Sequence, residues 1–462
     1  MFDKNTYVGR RRKLKNAIGS GLILLLGNEE SSMNYRDNLY PFRQDSSFLY
    51  FFGIDQPGLA GVLDVDADQE ILFGDDLTTE QIVWTGFREP LRETSDRVGV
   101  ELVRNKLQLH VKLAEASARH QKIHYLPPYR PEQIDLLQSL LGLQAGAVQE
   151  MFSVDLIKAV VAQRSYKSAE EIAEITKAVN TTVDMQLYAI TTAREGMTEM
   201  QVAANVQSIA VAAGGNLSFP TILTMRGEIL HNGFSRAVLR EPNTVLCDCG
   251  AETDRHYAGD LTRTFPVGKK FTDNQRDIYD IVYNAHMHAV SLLKPGIQFR
   301  DIHLHACEKL VEGLQRLGLM KGDIKESVAL GAHALFFPCG LGHMLGLDIH
   351  DMENLGEKYV GYDDSIVKST QFGLKSLRLG RALEAGFVIT VEPGIYFNPA
   401  LIDEWFAGKK FESFIIYERL KDFGNLGGVR IEEDFLITEK GSELLGRPLA
   451  KGATEIEELR QL

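Results

Sequence analysis

Residues 245–267 read VLCDCGAETDRHYAGDLTRTFPV. The apolar runs 245–249 and 261–267 flank a turn-forming middle, a pattern that predicts two paired β-strands. The inner end of each run carries one acid, Asp248 or Asp260. Burying a bare carboxylate in a core strand costs roughly several kcal/mol unless a cation neutralises it. The pair therefore indicates either a shared cation or two solvated acids beside a turn, and ligands from distant segments would decide between them.

The composition excludes several classes of partner. Of the 462 residues, 44% are hydrophobic and 24% charged, as in soluble globular proteins. The formal net charge of −13 argues against nucleic acid and anionic membranes, because both require a basic surface. The sequence shows neither an 18-residue apolar span nor a signal-peptide pattern. Four cysteines without C-x-x-C spacing favour a reducing, cytoplasmic location: Cys247, Cys249, Cys307 and Cys339.

Residues 1–167 are predicted to form a separate α/β unit. Apolar runs predict strands at 22–26, 61–65, 71–73 and 82–84, and helical spacing covers 10–17, 102–118 and a segment from 132 onward. The run 41–53, PFRQDSSFLYFFG, is interpreted as a partly buried strand or as the rim of a cleft. No catalytic set is evident in this half from its chemistry alone.

Residues 168–462 are predicted to form an α+β domain. Three capping boxes mark helix starts, each a Ser or Thr followed three residues later by Glu or Gln: Ser168 with Glu171, Thr198 with Gln201, and Thr272 with Gln275. A fourth helix is expected over 299–317. Strands are expected at 219–224, 245–249, 261–267, 387–392 and 429–437. Helix pairs separated by hairpins recur twice, which indicates a duplicated fold, and 351–385 is interpreted as a long loop.

Two further acids resemble the hairpin pair in their setting. Glu392 ends the apolar run VITV before a Pro-Gly turn, and GVRIEEDFLIT places Arg430 and Glu432 on one strand face. Four carboxylates from core-like strands, together with one or two imidazoles, would form an oxygen-rich site. Such a site suits two Mn²⁺-like ions better than one Zn²⁺. Chemistry alone leaves a dinuclear metal site and separate solvated acids equally open.

Seven histidines of the second domain fall into two groups. Those within predicted helices are interpreted as surface or helix-packing residues: His286, His288, His303 and His305. His231 follows a strand beside a glycine turn, and His343 and His350 lie in Gly-rich, strand-forming sequence. Each of these three, taken singly, fits a structural histidine as well as a ligand.

Several motifs occur together in the order typical of one family. AGDLTRTFPVG, GHMLGLDIHD, ITVEPGIYF and GGVRIEEDFLIT resemble the proline-specific branch of the pita-bread metallopeptidases. That fold is shared by methionine aminopeptidases, prolidases and Xaa-Pro aminopeptidases. PFRQDSSFLYFFG resembles the N-terminal domain of aminopeptidase P, so the similarity covers nearly the whole chain.

The resemblance implies a dinuclear metal site, and Mn²⁺ is the metal ion expected there. Asp260 and Glu432 would each bridge two ions, Asp248 would complete the shell of one ion, and His343 with Glu392 that of the other. Glu392 would also act as general base. His231 and His350 would steady the reacting carbonyl or the substrate amide, and Arg430 would orient Glu432 or anchor the substrate.

Two positions depart from the family pattern. Cys339 stands where the family usually has His, four residues before the His ligand, and the two hairpin acids are twelve apart rather than eleven. The resemblance implies release of the residue that precedes proline in Xaa-Pro-Yaa peptides. Cleavage of Xaa-Pro dipeptides (prolidase activity) and a non-peptidase binding role are the alternatives. A homodimer or larger oligomer is also expected.

Overall fold

The computed structural model describes all 462 residues and divides into two compact units. The first comprises Met1–Arg164 and Asn354–Tyr359, and the second comprises Ser165–Glu353 and Val360–Leu462. None of the helices is both long enough and apolar enough to cross a membrane.

The first unit is built on a five-stranded mixed sheet. Its helices are α1 (Lys4–Ile18), α2 (Ser46–Phe52), α3 (Thr79–Thr85), α4 (Leu91–Val98), α5 (Gln108–Ala118), α6 (Pro131–Leu141), α7 (Ala145–Glu150) and α8 (Val154–Arg164). Its strands are β1 (Leu22–Leu26), β2 (Ala60–Asp64), β3 (Gln69–Phe73), β4 (Leu102–Arg104) and β5 (Ile123–Tyr125), in the order β4-β3-β2-β1-β5. Apolar residues of β1, β2 and β3 form one core with residues of α5 and α6.

Two strand predictions in this unit are wrong. The segment 82–84 lies in helix α3, because Thr78 and Gln81 form a capping box that starts a helix there. The aromatic run 46–52 forms the buried helix α2, which Asp45 caps by accepting a hydrogen bond from the backbone N–H of Phe48. Arg11, which is fully buried, donates to the last-turn carbonyl of Phe51 and so satisfies the other end of that helix.

The second unit combines long helices with several small antiparallel sheets. The helices within residues 165–462 are α9 (Ala169–Thr192), α10 (Glu199–Ala212), α11 (Asp273–Ser291), α12 (Phe299–Arg316), α13 (Ile324–Leu330), α14 (Glu357–Val360), α15 (Pro399–Ala407), α16 (Tyr417–Leu420) and α17 (Ala453–Leu459). The strands are β6 (Asn216–Leu217), β7 (Ile222–Thr224), β8 (Thr244–Cys249), β9 (Ala251–Glu252), β10 (Leu261–Pro266), β11 (Val388–Val391), β12 (Gly394–Tyr396), β13 (Gly428–Arg430), β14 (Glu433–Ile437) and β15 (Ser442–Leu444). This content confirms the predicted α+β class.

The predicted helix starts are confirmed. All three capping boxes form at the starts of α9, α10 and α11, and in each the N-cap side chain accepts from the third backbone N–H of the helix. These bonds satisfy donors that a helix start otherwise leaves unpaired. The fourth helix, α12, begins at Phe299 as expected.

The strands of the second unit form the sheets β10-β8-β7, β11-β14-β15, β12-β13 and β6-β9. The predicted hairpin is present, with Asp248 opposite Thr262 and Cys249 opposite Leu261. The predicted strand 429–437 is interrupted at Ile431 and Glu432. The segment containing His343 and His350 is not a regular strand: it is a loop that lies against β11 through one bridge, Met344 with Ile389, and three backbone hydrogen bonds between residues 341–345 and 388–392.

The segment 351–385 is largely irregular, as predicted, but it contains three short helical pieces: Glu353–Leu355, Glu357–Val360 and Leu374–Ser376. Its buried apolar residues include Leu377 and Leu379. The loop is therefore packed into the protein rather than extended over its surface.

Candidate active site

All eight residues singled out from the sequence line one cavity of about 520 Å³ in the second unit. They are His231, Asp248, Asp260, His343, His350, Glu392, Arg430 and Glu432. One wall of the same cavity is apolar and is formed by Phe219, Pro220, Ile222, Leu230 and Ile349. The fold thus brings together side chains that are up to about two hundred positions apart in sequence.

The hairpin places its two acids side by side. Because Asp248 pairs with Thr262 across the ladder, its side chain shares a sheet face with Thr262 and with Asp260, two residues earlier. Both acids are at most 8% exposed. The Oδ1 atoms of Asp248 and Asp260 are buried without a hydrogen-bond partner. Each of these oxygens therefore has lone pairs available to a cation.

Glu432 and His343 complete the centre of the site. The ligand-type atoms of Asp260, His343 and Glu432 all lie within 4.8 Å of one another. The backbone N–H of Glu432 donates to the carbonyl of Thr262 at 3.1 Å, and the Thr262 hydroxyl donates to Glu432 Oε2 at 2.6 Å. These two bonds hold Glu432 against β10 although it lies outside a regular strand.

The orientation of the His343 ring suits a metal ligand. Its Nδ1 lies 3.0 Å from the carbonyl oxygen of Met344, so that nitrogen carries the proton when the ring is neutral. Nε2 then presents its lone pair to the site, 3.5 Å from Asp260 Oδ2 and 3.5 Å from Glu392 Oε1. A backbone carbonyl in this position is the usual outer partner of a metal-bound imidazole.

The buried acids of the cavity can ionise together only if cations compensate their negative charge. Burial raises the pKa values of Asp260 and Glu432 well above their usual range, and the neighbouring carboxylates raise them further. Burial also raises the pKa of Glu392, against the opposing charges of His343 and Arg430. These acids cannot all ionise in one enclosed space without positive charge beside them. With the unpartnered Oδ1 atoms and the group formed by Asp260, His343 and Glu432, the residues present fit divalent metal ions.

The remaining predicted residues surround this centre. Arg430 is buried and donates to Asp248 Oδ2 at 2.6 Å, rather than to Glu432 as one of its two predicted roles would require. The His350 ring lies 4.3 Å from the His343 ring, centroid to centroid, and its Nδ1 is 2.6 Å from Glu353 Oε2. Burial lowers the pKa of His350 to about 4, and it lowers that of His231 as well. Both imidazoles are therefore neutral near pH 7.

Four residues at or next to the site were not predicted from the sequence. Thr262 shares a strand face with Asp260, a signal that the strand alternation contained. Tyr396 accepts a hydrogen bond from Arg430 Nη1 at 2.9 Å, and it lies four residues beyond Glu392. Arg378 lines the cavity and pairs with Glu353. The last two come from the irregular segment 351–385, which carried no local signal.

The helical histidines lie away from the cavity. His286 and His303 are fully buried in the helix packing, and burial lowers the pKa of each to about 3. His303 Nε2 lies 3.5 Å from the Cys307 sulfur, one helical turn further along. These contacts agree with the predicted packing role.

Cys339 lines the cavity, at the position where His was expected. Burial raises the pKa of its thiol to about 12, so the side chain stays neutral. Unlike an imidazole, it cannot supply a cationic donor to the site.

Residues 170–439 match the model of metallopeptidase family M24, and residues 7–124 match that of the aminopeptidase P N-terminal domain. The first match covers more than half of the sequence.

The chain belongs to metallopeptidase family M24.

Relatives of this M24 chain include two groups of proline-specific peptidases. It is 32% identical to the Xaa-Pro aminopeptidase of Escherichia coli K12 over 472 aligned residues, covering 99% of this chain and 98% of the relative. It is 31% identical to the Xaa-Pro dipeptidase of Rattus norvegicus over 447 residues, covering 94% and 88% respectively.

Solved structures of relatives share the fold over its full length. The proline aminopeptidase P II of Yersinia pestis superposes with a TM-score of 0.82 at 28% identity, covering 100% of both chains. A zinc-substituted E. coli aminopeptidase P in complex with product superposes with a TM-score of 0.81 at 28% identity, covering 100% of this chain and 98% of that one. The M24 chain therefore has the pita-bread fold that its motifs led us to expect.

Proposed function

We propose that this M24 protein is a metal-dependent exopeptidase that releases the N-terminal residue from Xaa-Pro-Yaa peptides. One observation carries the proposal: five side chains that can ligate metal, those of Asp248, Asp260, His343, Glu392 and Glu432, line a single cavity together with several apolar side chains. A peptide bond to proline has no N–H to donate, so a protease that binds substrates as extended strands handles it poorly. A site that binds the carbonyl from one side and the proline ring from the other avoids that difficulty.

Two divalent ions at this site would polarise the scissile carbonyl and lower the pKa of a water molecule. Glu392 is positioned to receive the proton of that water. Its side chain is 20% exposed, whereas those of Asp260 and Glu432 are almost fully enclosed, and Thr390 donates to its Oε1 at 3.5 Å. The carboxylate thus borders both the ligand group and the open part of the cavity.

His350 and His231, which are not among the proposed metal ligands, would have different roles toward the substrate. In neutral His350, Nδ1 carries the proton toward Glu353, so Nε2 is an acceptor. Such an acceptor fits a substrate N–H group, either the N-terminal amine or the amide after proline, rather than a developing oxyanion. His231, which also lines the cavity, would support the reacting carbonyl. Arg430 holds Asp248 in place through its 2.6 Å bond, a positioning role.

A specific observation favours a second candidate, cleavage of Xaa-Pro dipeptides. Arg378 lines the cavity, and a guanidinium there could bind the free carboxylate that follows proline in a dipeptide. Relatives named Xaa-Pro dipeptidase are as similar to this chain as those named Xaa-Pro aminopeptidase.

A matched substrate panel separates the candidates. Purified metal-loaded protein would be assayed with Xaa-Pro-Yaa tripeptides, the corresponding Xaa-Pro dipeptides, and the same dipeptides with an amidated C-terminus. Cleavage of tripeptides supports the aminopeptidase. Cleavage of free dipeptides alone, lost on amidation, supports the dipeptidase. Failure to cleave any of the three would favour a non-peptidase binding role.

We propose Mn²⁺ as the metal, because four carboxylates and one imidazole form a hard, oxygen-rich ligand set. The zinc-substituted relative shows that zinc enters a similar site in another protein. Metal-free protein reconstituted separately with Mn²⁺, Zn²⁺ and Co²⁺ would therefore be compared at equal occupancy. Higher turnover with Zn²⁺ than with Mn²⁺ would contradict the assignment.

Location and assembly are proposed as well. The four cysteines are unpaired, which supports a reducing, cytoplasmic environment. Helix α3 has no buried residue, and Val83, Trp84 and Phe87 are 76–81% exposed, which supports a homo-oligomer that covers them. Light scattering on wild type and on Trp84→Glu would test this: we expect an oligomer that the substitution weakens.

A further inference from the structure

His231 lies on a long connection that has no strand of its own. Residues 225–243 join β7 to β8, and His231 falls in consecutive turns that begin at Arg226. The later part, 235–239, forms backbone hydrogen bonds with residues 196–200, whereas residues 225–234, which include His231, form backbone–backbone hydrogen bonds only among themselves. The interactions that fix it must come from outside the connection.

One buried carboxylate holds this connection at two points. Glu199 is the first residue of α10 and is 2% exposed. Its Oε1 accepts from the backbone N–H of Met225 at 2.8 Å and from the Thr224 hydroxyl at 3.1 Å. Its Oε2 accepts from the backbone N–H of Ser235 at 2.9 Å and from the Ser235 hydroxyl at 2.6 Å. The two ends of the segment 225–235 are thus tied to the two oxygens of one side chain.

The tie extends to the neighbour of His231. The Thr224 hydroxyl, which donates to Glu199, accepts from Asn232 Nδ2 at 2.8 Å and from the backbone N–H of Arg226 at 3.0 Å. A chain of hydrogen bonds therefore runs from Glu199 through Thr224 to the residue next to His231.

Glu199 forms no ion pair, and all four of its donors are neutral. A buried carboxylate without a cation is costly, so it must be compensated by its hydrogen bonds and by the positive end of the helix dipole. Four bonds on two oxygens, at the first turn of α10, provide this compensation. The carboxylate does not line the cavity, so it cannot serve by touching the substrate.

We propose that Glu199 is a positioning residue that fixes the segment 225–235 and thereby aims His231 into the cavity. The inference deepens the proposed function, because it rests on His231 acting there. The segment has two further ties, the bond from the backbone N–H of Met200 to the carbonyl of Ser235 at 2.9 Å and the bond from Asn398 Nδ2 to the carbonyl of Glu228 at 3.3 Å, so loss of Glu199 should displace His231 without unfolding the protein.

A double-mutant cycle tests the proposal. Glu199→Gln replaces one carboxylate oxygen with an NH2 group, which cannot accept hydrogen bonds. The hydrogen bonds that this oxygen accepts in the wild type are therefore lost. In the wild-type background we expect kcat/KM for an Xaa-Pro-Yaa peptide to fall about ten- to hundredfold, mainly through kcat, with metal content unchanged. In a His231→Ala background the same substitution should change kcat/KM less than about twofold. Equal losses in the two backgrounds would overturn the proposal, since Glu199 would then act independently of His231.

Two further variants serve as a matched control and as a second test. Glu195→Gln makes the same chemical change at an exposed position just before α10 and should leave kcat/KM unchanged. Ser235→Ala removes only the hydroxyl donor and should cause a smaller loss than Glu199→Gln, which keeps the test available should the latter fail to fold. If neither Ser235→Ala nor Glu199→Gln lowered kcat/KM, the positioning role would be refuted.

A readout independent of catalysis separates this proposal from the proposed function. Histidine ring resonances would be recorded by NMR, with His231 assigned from His231→Ala. We expect its resonance to shift in Glu199→Gln and to stay in place in Glu195→Gln. If wild type cleaves no Xaa-Pro peptide, the proposed function fails while this shift still tests Glu199. An unshifted His231 resonance would overturn the positioning role by itself.

Discussion

Removing the metals should make the stability of the protein depend on pH in a direction opposite to ordinary acid denaturation. In the metal-free protein, burial and mutual repulsion hold the pKa values of Asp260 and Glu432 well above their unfolded values near 4. The folded state then binds more protons than the unfolded state. Stability contributed by these two groups is therefore greatest at acidic pH and falls as pH rises above about 4.

The size of the effect follows from the number of acids that must ionise. Metal binding requires Asp260 and Glu432 as carboxylates, so it releases about two protons in the range where both are protonated in the metal-free protein. Each proton contributes about 1.4 kcal/mol per pH unit. The stabilisation by metal should grow by about 2.7 kcal/mol per pH unit, equivalent to about a hundredfold in metal affinity.

The assay compares metal-free and Mn²⁺-loaded protein by calorimetric unfolding between pH 5 and 7. Taking the difference between the two forms removes groups that titrate identically in both. Mn²⁺ titrations in buffers of different ionisation enthalpy would count the released protons directly. Asp434→Asn is the matched control: Asp434 is a buried acid that accepts from the backbone N–H of Asp260 and does not line the cavity.

We expect Asp434→Asn to leave the two-proton release unchanged. A metal stabilisation that is constant between pH 5 and 7 would refute the reasoning, because it would mean that the acids are ionised without cations. Loss of one proton from the count in Asp434→Asn would mean that Asp434 contributes to the release, either by titrating itself or by raising the pKa of Asp260.

Three other predictions concern substitutions in the site. Glu432→Ala should abolish turnover and metal binding together, as measured by activity and elemental analysis; a variant that kept two metals and normal turnover would contradict the bridging assignment. Asp260→Ala should lose more metal than Asp248→Ala. Asp260 lies in the group formed with Glu432 and His343, whereas Asp248 forms an ion pair with Arg430. Equal losses of metal in the two variants would argue against this ranking. Cys339→His should raise kcat/KM severalfold by restoring a donor on the cavity wall, and an unchanged value would place that role on another residue.

The success of the sequence predictions depended on the range of the interactions involved. The starts of α9, α10 and α11 were predictable because a capping box is complete within four residues. The hairpin was predictable because strand alternation and turn residues are equally local.

The errors arose where local signals compete. The aromatic run of α2 and the apolar triplet within α3 suit a strand as well as a helix, and their caps at Asp45 and Thr78 decided the outcome. The loop around His343 resembles a strand in sequence and does bond to β11 through its backbone, but it does not continue beyond one bridge as a regular strand.

The sequence by itself determined the chemistry available to this protein: four acids in core-like settings, the three candidate histidines His231, His343 and His350, and motifs in the order typical of M24 peptidases. Only the tertiary structure decided how these groups share the cavity. It assigned Arg430 to Asp248, Glu353 to His350 and Glu199 to the segment that carries His231. These pairings join residues through loop packing and strand register, and neither the packing nor the register is encoded in any single stretch of the chain.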